Sequence, residues 1–374
     1  MGDCTQQCIN ADIKATMLLK KRPIFTILSG LAVALAAGCS SSTPTDNPNS
    51  NDTATQPTGE VNLYTSRHYD ADEALYENFT EETGIELNLI EGSAEELIER
   101  IKSEGENSPA DVLITVDVGN LWRAQQAGIL QPVESEVLEN AIPANFREDE
   151  GHWFGLTKRA RILVYNKDNV DPENLSTYED LANPEWEGRI CVRSSSNIYN
   201  QSLVASKIEE MGLEKAQEWV NGLVNNFARE PEGNDTSQIQ SVASGECDLA
   251  IVNSYYVARM MNADDAEAQE IAEKVGVFFP SQEAGGTHVN ISGAGVVANA
   301  PHQENAVTFI EYLTTPEAQK IFANANYEYP VVEEVTMSKT VEKFGDFKES
   351  SLDVESYGEK NAEAVKVMDR AGWK

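Results

Sequence analysis

From Val61 onward, short apolar runs alternate with segments of helical periodicity, and that alternation restricts the chain to an α/β architecture. Residues 61–65 read as a strand, Ala71, Leu75 and Phe79 fall at helical spacing, and residues 85–90 read as a second strand. Ser93 and Glu96 form a capping box ahead of Leu97, Ile98 and Ile101, so a helix begins there. Residues 110–116 read as the next strand, followed by a helix over 121–127 that stops at Gly128. The pattern recurs with strands at 162–165, 189–193 and 248–252, and helices at 201–210, 213–224 and 236–244. Parallel sheets covered by helices on both faces satisfy such a pattern, and two of these units lie in tandem.

Between the units, the extended run 153–166 carries few turn signals, and a second extended stretch covers 275–280 and 296–298. Two crossings make a hinge. A chain that leaves the first unit near Thr157 and returns near Glu283 places residues 60–157 and 284–374 in one lobe and 158–283 in the other. The cleft between them can close on a ligand.

The N-terminus has a different character. Lys20, Lys21 and Arg22 precede an apolar stretch from Ile24 to Ala37 that stops at Gly38-Cys39, the layout of a secretory signal over residues 1–38. The stretch is shorter than the ~20 residues a membrane-spanning helix needs. Asp3 and Asp12 do not suit a basic leader, whereas Met17 begins one of ordinary proportions. Ala36-Ala37-Gly38-Cys39 resembles the lipobox of bacterial lipoproteins, in which the cysteine carries acyl chains. The Ser-, Thr-, Pro- and Asn-rich run 39–59 cannot bury enough apolar surface to fold and is expected to be a tether.

A formal charge of −34 makes nucleic acid an unsuitable partner; its first explanation is solubility in a saline medium. Cys191 and Cys247 are the cysteines within the folded body, and neither belongs to a Cys-x-x-Cys or zinc-like cluster. Export favours oxidation, and each lies at a strand, so the two are a candidate disulfide.

In open parallel sheets, ligands sit beyond the carboxyl ends of the strands. Here those ends lead into His68 and Tyr69, into Tyr199, and into Tyr255 and Tyr256. A lone tyrosine is ordinarily core packing with a bonded hydroxyl. Four of them following strands within Ser- and Asn-rich loops form another pattern. A nearby cation favours the charged form of a phenol, and phenolate oxygen is a hard donor. Oxygen donors with at most one imidazole suit ferric iron better than zinc or copper, and leave ferrous iron open. Four phenolates around a trivalent ion leave a charge of about −1, which Arg159 and Arg259 are placed to offset.

The segments Ser66-Arg67-His68-Tyr69-Asp70, Ser194 to Gln201, and Asn253-Ser254-Tyr255-Tyr256 resemble the metal-binding segments of the FutA/FbpA family of ferric-iron-binding periplasmic proteins. The likeness extends over 60–374 and includes Tyr-Glu-Tyr-Pro-Val at 327–331. It implies an α/β, two-lobed class II periplasmic-binding-protein fold, each lobe a mixed, mainly parallel sheet flanked by helices. It also implies Tyr69, Tyr199, Tyr255 and Tyr256 as phenolate ligands, with His68 an optional fifth and no need for a synergistic carbonate. The cargo implied is Fe3+. The partner implied is an ABC transporter permease in the inner membrane, served by a periplasmic monomer that touches the membrane through the Cys39 anchor. No Walker A segment, Gly-x-Ser-x-Gly elbow, His-Glu-x-x-His or dinucleotide fingerprint is present, which weighs against an ATPase or enzyme. A receptor for an organic anion or polyamine on the same architecture is the alternative.

Overall fold

The computed structural model describes residues 59–67 and 69–374; the leader, Cys39, the tether and His68 lie outside the described residues. In order, the strands are β1 (Gly59–Thr65), β2 (Ile85–Glu91), β3 (Val112–Val116), β4 (Phe154–Asn166), β5 (Ile190–Cys191), β6 (Leu249–Asn253), β7 (Val275–Phe278), β8 (Val289–Val296) and β9 (Tyr329–Pro330). They join in the order β2-β1-β3-β8-β4-β6-β5, with β7 and β9 also paired to β4.

The long strand β4 makes the structure two-lobed. From Phe154 to Ala160 it pairs with β8, and from Arg161 to Tyr165 with β6, so one strand serves the sheets of both lobes. Pairing of β1 with β2 and β3, and of β5 with β6, is parallel, as strand–helix alternation leads one to expect. The ladders made by β4 and β8 are antiparallel, giving a mixed sheet. Helical crossovers impose parallel pairing; the crossing strands are not joined that way, so local periodicity says nothing of their direction. The second crossing strand runs over Val289–Val296, earlier than the 296–298 stretch expected. At Gly293 a Cβ would stand 2.6 Å from the carbonyl oxygen of Phe154, so any larger residue would push β8 off β4.

Local signals explain the elements that frame the site. In the Ala94–Glu104 helix the Ser93 hydroxyl accepts from the Glu96 N–H at 3.3 Å while the Glu96 carboxylate accepts from the Ser93 N–H at 3.0 Å. This closes the capping box, an arrangement worth about 1 kcal/mol. The Asp72–Thr83 helix buries Leu75 and Phe79 and ends at Gly84, whose φ of 74° is left-handed. Phe79 meets Phe309 edge-on at 4.9 Å, fastening this helix to the Gln303–Leu313 helix.

A disulfide joins Cys191 in β5 to Cys247 just before β6, with Cα atoms 5.9 Å apart. The last two helices, Glu355–Glu359 and Asn361–Ala371, pack against Ile198–Met211 and Leu213–Asn225. The Trp373 indole donates to the Arg193 carbonyl at 2.9 Å, and the Ser195 N–H to the Lys374 carbonyl at 3.0 Å. The extreme C-terminus, expected with the first lobe, thus touches helices of the second, while Glu355–Glu359 also packs on the Val118–Gln126 helix that follows β3. Its amphipathic spacing announces a buried face without naming the surface that buries it.

Candidate metal centre

Tyr69 lies on the loop between β1 and the Asp72–Thr83 helix. Tyr199 is in the first turn of the Ile198–Met211 helix, and Tyr255 and Tyr256 are in the first turn of Ser254–Met261, which follows β6 without a break. Three of the four phenols thus stand beyond the carboxyl ends of the parallel pair β5 and β6, and the fourth comes from the other lobe.

The structure brings these residues together. The Tyr69 and Tyr255 rings meet edge to face with centroids 6.5 Å apart, and Tyr255 stacks on Tyr256 at 4.3 Å. Tyr199 lies close enough to Tyr256, Tyr69 and Tyr255 for each of them to shift its phenol. Tyr255 is buried; Tyr69, Tyr199 and Tyr256 are half-buried.

Burial, the largest effect, pushes the phenol of Tyr255 well above its ordinary pKa, and the neighbouring Tyr199, Tyr69 and Tyr256 push the same way against Arg159. Tyr199 is raised by burial and by Tyr256, again opposed by Arg159, and Tyr256 by burial and Asp235. Without a cation these three phenols therefore keep their protons, whereas a cation among them reverses the balance.

Guanidinium groups surround the rings. Arg259 lies 4.2 Å from the Tyr69 centroid and 4.8 Å from that of Tyr255, and makes no salt bridge among the described residues. Arg159, Arg193 and Arg161 lie 5.4, 5.5 and 5.8 Å from the Tyr199 centroid. Arg159 donates to the Ser292 hydroxyl at 3.1 Å and lies 3.8 Å from Asp117. Burial raises Asp117 against the pull of Arg159. Asp235 holds Arg161 at 2.7 Å and Arg193 at 3.0 Å while accepting from the Asn253 N–H just before Tyr255. Such a collar can neutralise several phenolates in a setting where unpaired charge is expensive.

Sequence reasoning reached Arg159 and Arg259 but missed Arg67, Arg161, Arg193, Asp117 and Asp235. A signal for Arg161 was present: it is two residues from Arg159 on an extended run, and period-two alternation puts both on one face. Asp117 and Asp235 carried no comparable mark, because each faces its arginine across a long stretch of sequence.

Another group of metal-type side chains, Glu148, Glu150 and His152, has ligand atoms within 4.8 Å of one another. One Glu148 oxygen already accepts from the N–H groups of Glu150 at 3.0 Å and His152 at 2.9 Å, the pattern of a braced turn.

Proteins of known structure share this two-lobed fold. A family model for bacterial extracellular solute-binding proteins matches residues 74–349. Iron uptake protein A1 of Synechocystis is 53% identical over 351 residues, spanning 94% of this chain and 96% of that protein. The structure of Trichodesmium FutA (IdiA) in complex with iron and citrate aligns with a TM-score of 0.83 at 59% identity, covering 84% of this chain and 100% of that one. The ferric binding protein from Campylobacter jejuni aligns with a TM-score of 0.81 at 41% identity, with coverage of 84% and 100%.

Proposed function

The chain belongs to the bacterial extracellular solute-binding protein family, and on that premise we propose that it captures ferric iron between its lobes and delivers it to an ABC-type importer. One observation carries this reading: four tyrosines from three separate segments converge beneath a collar of arginines. Relatives named for iron uptake and ferric-iron binding support the choice of cargo.

Tyr69, Tyr199, Tyr255 and Tyr256 donate phenolate oxygens to the ion. Arg159 and Arg259 offset the charge those phenolates develop, and His68, outside the described residues, is an optional fifth donor. Iron is cargo here, not a resident cofactor, and the chain acts as a receptor, not an enzyme. Among the described residues, no helix is long and apolar enough to cross a membrane. Cys39 holds the mature monomer at the periplasmic face of the membrane through its lipid, with the polar segment after it as spacer.

Metal analysis of the protein as isolated, combined with visible spectroscopy, tests the reading. A tyrosinate–ferric complex absorbs visible light by charge transfer, so holo-protein is expected to be coloured and to bleach with chelator and reductant. A colourless protein indifferent to ferric salts would favour an organic-solute receptor instead.

A further inference from the structure

Tyr69 is the only one of the four tyrosines on the first lobe, and a buried ion network lies directly behind it. Arg67, 2% exposed, holds its guanidinium 4.7 Å from the Tyr69 centroid and 5.0 Å from that of Phe322. It is bound on two sides by carboxylates. Asp72 accepts from Nε at 2.7 Å and from Nη2 at 3.1 Å, and Glu328 accepts from Nη2 at 2.9 Å and Nη1 at 3.3 Å.

Glu328 belongs to a segment that faces two ways. Two residues earlier, the Asn326 amide donates to Asp72 at 2.7 Å, so residues 326 and 328 both grip the start of the Asp72–Thr83 helix and its loop. On the other side, Thr157 of β4 donates its hydroxyl to Glu328 at 3.1 Å, while Tyr329 and Pro330 pair with Lys158 and Thr157. Tyr327, between the two gripping residues, has a φ of 60°, a left-handed backbone that a non-glycine residue adopts only where its surroundings enforce it. The chain is bent there so that neighbouring side chains reach the same loop.

We propose that Glu328 is a positioning residue for iron capture: acting through Arg67, it locks the Tyr69 loop to the hinge strand, so that the lone phenol of the first lobe is already placed when the lobes close. This rests on the ferric-iron reading and adds to it a residue that does not touch the metal. A fixed bidentate guanidinium between two carboxylates suits the task, since its planar fork sets orientation as well as distance. Preorganising a ligand lowers the entropy lost on binding, and partners behind metal ligands typically contribute about 10–100-fold to affinity.

The test is a thermodynamic cycle with ferric nitrilotriacetate as probe, on the full-length protein, following both affinity and the visible band. Tyr69→Phe alone reports on the ferric reading, because loss of a phenolate must weaken binding and alter the band. A Tyr69→Phe protein indistinguishable from wild type would remove Tyr69 from the site and the proposal with it. Glu328→Gln is expected to weaken binding by about tenfold or more and shift the band in the wild-type background. In the Tyr69→Phe background it should add less than about twofold, because both changes act through one ligand. Equal losses in both backgrounds would assign Glu328 a purely structural role and overturn the proposal. Thr157→Val leaves the Arg67 pairs in place and should repeat the pattern at smaller amplitude. It decides the matter if Glu328→Gln does not fold, and an unchanged affinity and band in Thr157→Val would then count against the proposal.

Discussion

The two lobes contribute to the candidate site in contrasting ways. The second offers three phenols on the first turns of the helices that follow β5 and β6, a region tied by the Cys191–Cys247 disulfide. The first offers one phenol on a loop, held by the Arg67 network. On the proposed reading, a platform and an arm let binding begin on one lobe and end with closure of the other.

The contrast breaks most severely if the platform loses a donor. Tyr255→Phe keeps the ring, buried against Tyr256 and Tyr69, but removes the oxygen; iron affinity is expected to fall by more than about 100-fold. The apo melting temperature should move by no more than about 2–4 °C, which differential scanning calorimetry checks. An unaltered affinity would show that Tyr255 only packs.

Acid should dismantle the site next. Tyr199, Tyr255 and Tyr256 are held above the ordinary phenol pKa without a cation, so each must give up a proton for iron to bind. Binding therefore strengthens as pH rises and weakens as it falls, at every pH below those raised values. Affinity should fall about tenfold per pH unit for each phenol that ionises, read by iron titration between about pH 8 and about pH 6. A flat profile would argue against tyrosinate ligation.

Removing the arm should do less than removing part of the platform. Tyr69→Phe is expected to lower affinity by about 10–100-fold and to leave iron on the second lobe, with scattering in solution reporting a more open protein. A loss as large as that of Tyr255→Phe would erase the distinction between the lobes. Smallest of all, in binding, should be Cys191→Ser with Cys247→Ser. Losing a crosslink across a sequence separation of 56 residues lowers stability by about 2–4 kcal/mol in denaturant titration. Affinity should change by less than about threefold, because the contacts of the four rings are with one another and with arginines.

Alternating periodicities were enough to infer an α/β chain with a long extended crossing, the capping box at Ser93, and helices close to their observed limits, because each is written in neighbouring residues. Tyr69, Tyr199, Tyr255 and Tyr256 were legible for a similar reason: strand ends in such folds face a common crevice, so residues just beyond them can be expected to meet. The direction of pairing along β4 and β8, the surfaces that bury the C-terminal helices, and the partners of the arginines were decided only by the tertiary structure. Arg67 and Glu328 lie 261 residues apart, and Arg161 and Asp235 lie 74 apart. Electrostatic pairing depends on distance in space, which local sequence does not encode, and a buried charge shows its partner only once the fold has brought the two together.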